Sequence, residues 1–103
     1  MTQDTEATMI LYMEALEREH IPCQDLFIFG SVARGEEHEW SDIDVAVVGP
    51  AFGADRIEEM VQLRVVAQKI DPAISPVPLR PEDLEDRFST IGQVVQREGK
   101  RIN

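Results

Sequence analysis

Two short apolar runs, each meeting a polar motif at one end, constrain this chain more than any other feature. Leu26-Phe27-Ile28-Phe29 runs into Gly30-Ser31, and ten residues later Asp42-Ile43-Asp44 heads a second run, Val45 to Val48. Runs of this length, bounded by turn-forming residues, read as buried strands. Alternate residues of a strand point to one face, so Asp42 and Asp44 project together, about 6–7 Å apart along the backbone. Two carboxylates that close repel each other unless a cation sits between them. A Gly-Ser turn entering a helix offers a phosphate close backbone approach, exposed N–H groups and a hydroxyl. A phosphate cradle beside a divalent-metal site describes a place where a nucleotide is handled.

Breakers divide the rest of the chain. Apolar residues recur at Met9, Tyr12, Met13 and Leu16, which predicts an amphipathic helix from about Thr5 to His20, stopped by Pro22. Asp25–Phe29 is a predicted strand, Ser31–Arg34 a helical turn, residues 35–41 a polar loop, and Asp42–Val48 the next strand. Gly49-Pro50 and Gly53 follow as breakers. Asp55 is positioned to cap a helix reaching about Ile70, with Ile57, Met60, Val61, Leu63, Val65 and Ala67 as its apolar surface. Residues 71–79 hold three prolines, yet Ile74, Val77 and Leu79 suit a third strand, at an edge or irregular. Pro81 with Glu82 and Asp83 has the composition of a helix start. Leu84, Phe88, Ile91 and Val95 continue at helical spacing with a break near Ser89-Thr90, and Gly99 ends the element. The order predicts an α/β (α+β) fold, a small mixed sheet with flanking helices, as one domain over residues 1–103.

Charge narrows the partners. The formal net charge is −10, and residues 1–52 carry 11 acids against Arg18 and Arg34 alone. Nucleic-acid binding draws most of its affinity from basic side chains on phosphates, so this balance argues against direct DNA or RNA binding. A small nucleotide escorted by magnesium remains compatible, because the metal brings the positive charge. No apolar stretch approaches the roughly 20 residues of a membrane span. The acidic beginning MTQDTEATM lacks signal-peptide features, and a lone Cys23 suits a reducing compartment; the expectation is cytoplasmic.

The stretch GSVARGEEHEWSDIDVAVV resembles the signature of the minimal nucleotidyltransferases of the DNA polymerase β-like superfamily. Gly30, Ser31, Asp42 and Asp44 match its Gly-Ser, ten residues, Asp-x-Asp, and Arg34-Gly35 fits the small-residue-Arg-Gly usual between them. The resemblance extends to LRPEDLED, most of the chain, and implies a polymerase β palm-like fold. It implies an enzyme that transfers AMP from ATP to a protein hydroxyl, as the antitoxin partner of a HEPN-domain toxin. Asp42 and Asp44 would be the catalytic carboxylates and ligands of a two-magnesium site. Gly30 and Ser31 would hold the β- and γ-phosphates. Arg34 would reach a phosphate or pair with a neighbouring acid. Trp40 could stack on a base but reads better as a packing lid; His20, His38 and Glu36-Glu37-Glu39 read as solvated, and Cys23 as structural.

In one respect the chain departs from the family. The resemblance implies a third carboxylate on the next strand, completing the metal site and acting as base, and the corresponding position reads Ser75. A serine hydroxyl is a poor metal ligand and no base at neutral pH; Asp71 replaces it only in a different register. The rival reading is therefore a catalytically weak or inactive module that neutralises its partner by occlusion. AMP transfer to a small molecule is a third reading, disfavoured because such enzymes usually carry a further domain, unless an oligomer supplies it.

Overall fold

Helix α1 (Gln3–Arg18) buries Met9, Tyr12, Ala15 and Leu16, the stripe that its apolar spacing predicts. The computed structural model describes residues 3–36 and 41–102; the predicted loop residues Glu37, His38, Glu39 and Trp40 lie outside them. The helix stops earlier than predicted, and Pro22 is not the cause. His20 adopts a left-handed conformation (φ 59°), with its N–H donating to the Glu17 carbonyl (3.0 Å) and that of Ile21 to the Leu16 carbonyl (2.9 Å). That pair of bonds is a Schellman C-cap, here with histidine at the position glycine normally takes.

Strand β1 (Asp25–Phe29) pairs antiparallel with β2 (Ile43–Val48), and β2 pairs parallel with β3 (Ile74–Leu79). A two-residue strand, β4 (Lys100–Arg101), joins the other side of β1, giving the order β3-β2-β1-β4. No apolar alternation marks β4, and the sequence reading missed it. As predicted, β3 is an edge strand. Pro76 and Pro78, which lack an N–H, share one parity on it, the parity that can face away from β2.

The sheet has two apolar faces. Leu26, Ile28, Val45, Val47 and Ile74 pack against α1 and α3 (Arg56–Ile70). Asp55 caps α3 as expected, accepting from the Glu58 N–H at 3.1 Å. The apolar surface assigned to that helix divides: Leu63, Val66 and Ala67 are buried, whereas Ile57, Val61 and Val65 are exposed, Ile57 by 80%. The buried Tyr12 hydroxyl donates to the Leu63 carbonyl at 2.9 Å and ties the two helices; burial, then the nearby Cys23, raises its pKa.

On the opposite face Ala46, Val48 and Leu79 pack with Val95 of α4 (Thr90–Glu98). The predicted helix from Pro81 is in fact two pieces: a 3-10 turn, Pro81–Leu84, then α4, which Ser89 caps through the Gly92 N–H (3.1 Å). Phe88 falls between them and is 81% exposed, so its helical spacing was coincidental. Gly99 follows α4 with an ordinary negative φ.

Candidate nucleotide-binding site

The end of β1 and the beginning of β2 meet at one edge of the sheet. Phe29 is the register partner of Asp44, so the first residue of α2 (Gly30–Ala33) is carried directly past the Asp44 carboxylate. Gly30 has φ +74°, and a Cβ there would overlap Asp44 Oδ2. Glycine is required twice at this position, by backbone conformation and by space. Ser31 follows at the start of the same short helix, half-buried.

Asp42 lies just before β2 and is exposed; Asp44 is half-buried within it. The two are close enough to interact. The pKa of Asp44 is raised, first by burial and then by the Asp42 charge, while Arg34 pulls it back. A carboxylate held unfavourably charged beside a second one is the arrangement a cation relieves. Among the described residues no cluster of three or more His, Cys, Asp or Glu side chains forms a ready metal cage. The donor set suits a divalent ion held by two protein carboxylates, with its remaining positions open to phosphate oxygens or water.

The next strand supplies no third acid beside Asp44. Its register partner on β3 is Ser75, the position expected from sequence. Asp71 lies three residues ahead of β3, and its carboxylate accepts from the Ala73 N–H at 2.9 Å, closing the turn after α3.

Arg34 is the C-cap of α2. Its Nε lies 3.1 Å from Glu36 Oε1 and its Nη1 2.9 Å from Glu98 Oε1; Glu36, then Glu98, raises its pKa. The same Glu98 oxygen accepts from the Gly30 N–H at 3.2 Å. Glu98 belongs to this cluster and was missed in the sequence, where 67 residues separate it from Gly30. Its one sequence signal is an acid in the last turn of a helix, where the dipole favours a cation.

The other polar residues lie elsewhere. Cys23 donates its S–H to the Asp25 carbonyl (3.4 Å), and burial, then the Asp25 charge, pushes its pKa up to about 11. It is a thiol at neutral pH, with no thiolate character. His20 occupies the helix cap and is exposed.

Residues 12–96 match the model of the nucleotidyltransferase domain family. The chain is 35% identical over 89 residues to the protein adenylyltransferase MntA of Shewanella oneidensis, an alignment covering 84% of this chain and 59% of MntA. It therefore spans less than two thirds of that relative. A toxin-antitoxin crystal structure with AMP-PNP superposes with a TM-score of 0.66 at 30% identity, over 95% of this chain and 72% of the other. A mutant MntA-HpeT toxin-antitoxin gives 0.63 at 27% identity, over 95% and 71%. A nucleotidyltransferase-like protein from Sulfolobus solfataricus shares the fold at 18% identity, with a TM-score of 0.58 over 98% and 86%. The chain belongs to the nucleotidyltransferase domain family.

Proposed function

We propose that this chain binds ATP with magnesium at Gly30, Ser31, Asp42 and Asp44 and transfers AMP to a hydroxyl of a protein partner, a HEPN-type toxin that it neutralises. The observation that carries this reading is the Asp42–Asp44 pair, in which Asp44, its pKa raised by burial and then by the Asp42 charge, is seated against a glycine with left-handed φ at the start of a helix. Support comes from the family match, from the relative that is a protein adenylyltransferase, and from the related toxin-antitoxin structure with AMP-PNP. The cell compartment in this reading is the cytoplasm; among the described residues no helix is long and apolar enough to cross a membrane.

In the reaction the acceptor hydroxyl oxygen forms a bond to the α-phosphorus as the bond to pyrophosphate breaks. The hydroxyl proton leaves to a base or to water. Asp42 and Asp44 would hold the divalent ion, which neutralises charge on the phosphates. Ser31 and the peptide groups around Gly30 would fix the triphosphate, and Arg34 would add a cation beside it.

The Asp44–Ser75 register favours a second reading. With a hydroxyl where the family has a carboxylate, the hydroxyl proton lacks a nearby base and a second metal lacks a ligand. In that case the protein neutralises its partner by occlusion, with ATP bound and little transfer. Intact mass of the co-purified partner, with and without ATP and magnesium, decides between them. A gain of one or more adenylyl groups supports the enzyme; an unchanged mass in a stable complex supports the occluding binder.

A further inference from the structure

A single oxygen of Glu98 occupies the donors that a phosphate would use. Glu98 Oε1 accepts from the Gly30 N–H (3.2 Å) and from Arg34 Nη1 (2.9 Å). A backbone N–H and a guanidinium converging on one anionic oxygen are the pair that recognises a phosphate oxygen. We propose that Glu98 is a built-in stand-in for that oxygen, and that a nucleoside triphosphate enters by displacing it. This rests on the nucleotide-binding reading above and adds the residue that opposes it.

Two observations separate this role from simple helix packing. Glu98 is the last residue of α4, where an acid opposes the helix dipole, so α4 gains nothing from a charge there. Its side chain is 26% exposed, which leaves it an outward path when the donors are taken by another anion. The residues after it are anchored: Lys100 and Arg101 pair with Ile28 and Phe27 of β1. Displacement therefore moves the Glu98 side chain while β4 keeps its place on the sheet.

The consequence is a competition. While Glu98 is docked, the Gly30–Arg34 donors are taken, and the apparent affinity for triphosphate falls by the fraction of time they are free. Emptying the position raises that affinity. For a contact closed nine-tenths of the time, the gain is about tenfold.

Calorimetry of ATP with magnesium on the full chain tests this with wild type, Glu98→Ala and Glu98→Gln. The expected result is tighter binding by Glu98→Ala, by about 3–10-fold, with Glu98→Gln between it and wild type, because the amide oxygen accepts more weakly than a carboxylate. The Gly30 amide resonance of nucleotide-free protein should shift in Glu98→Ala, and the difference between the two proteins should shrink at saturating ATP. Unchanged or weaker ATP binding in Glu98→Ala, while wild type binds, overturns the displacement proposal alone and makes Glu98 a brace for Arg34. Absence of ATP binding in all three proteins overturns the nucleotide reading and this proposal with it.

Discussion

The Asp44 carboxylate rests against the α-carbon of Gly30 so closely that a Cβ on Gly30 would overlap it. The two halves of the sequence motif are therefore one packed unit, positioned by the pairing of Phe29 with Asp44 across β1 and β2.

Gly30→Ala tests that unit. A left-handed non-glycine residue costs roughly 1–2 kcal/mol, and the displaced Asp44 adds to it. Urea unfolding should show a loss of this order or larger, and ATP-magnesium binding should fall beyond what unfolding explains. In the background of Asp44→Gly, which removes the obstructing carboxylate, the Gly30→Ala cost should shrink towards the backbone term alone. Strict additivity of the two substitutions would show that they do not touch.

Asp42→Asn and Asp44→Asn should each weaken magnesium-dependent ATP binding at least about tenfold, since loss of even an indirect metal partner costs 10–100-fold. The metal-free fold should survive unchanged or gain stability, because like-charge repulsion is relieved. The pH dependence has a definite sign. The pKa of Asp44 is raised above its ordinary 3.8, so between the unfolded and folded values the folded chain binds the extra proton. Ionisation of Asp44 thus opposes folding, an effect absent below the unfolded pKa and complete above the folded one. The stability contributed by this group falls as pH rises through that acidic window, and Asp44→Asn should flatten the fall in a urea series across it.

Ser75 stands beside Asp44 where a base and metal ligand are expected. Transfer of labelled AMP to the cognate partner should be slow in wild type. Ser75→Asp should raise it, within the 10²–10⁴-fold that a general base typically contributes. Fast wild-type transfer, unchanged in Ser75→Ala and abolished in Asp71→Ala, would assign the base to Asp71 instead.

Tyr12→Phe should cost about 1 kcal/mol by removing the buried bond to the Leu63 carbonyl. ATP-magnesium affinity should stay within twofold of wild type when measured well below the unfolding transition. A larger change in affinity would mean that the α1–α3 contact is coupled to the site.

The parts of the fold that were legible in the sequence are those fixed by local chemistry. Asp55 announced a cap, the prolines of β3 announced an edge or irregular strand, and Gly30-Ser31 and Asp-x-Asp marked the ends of two strands. Among the features that were not legible, three depend on tertiary context. The α1 terminus depends on His20 taking a conformation usually left to glycine. Strand β4 is a pair of charged residues whose only strand signal is its partner. Glu98 reaches Gly30 and Arg34 through tertiary packing of α4, and no local pattern encodes that approach.

In the proposed function, Asp42, Asp44, Gly30 and Ser31 form one metal-dependent nucleotide site. Calorimetry of ATP on wild type, in magnesium and again in EDTA, tests it most directly. Binding should be saturable in magnesium, largely abolished by EDTA and weakened by Asp42→Asn and by Asp44→Asn. Equal affinity with and without the metal, undiminished in both variants, would contradict it.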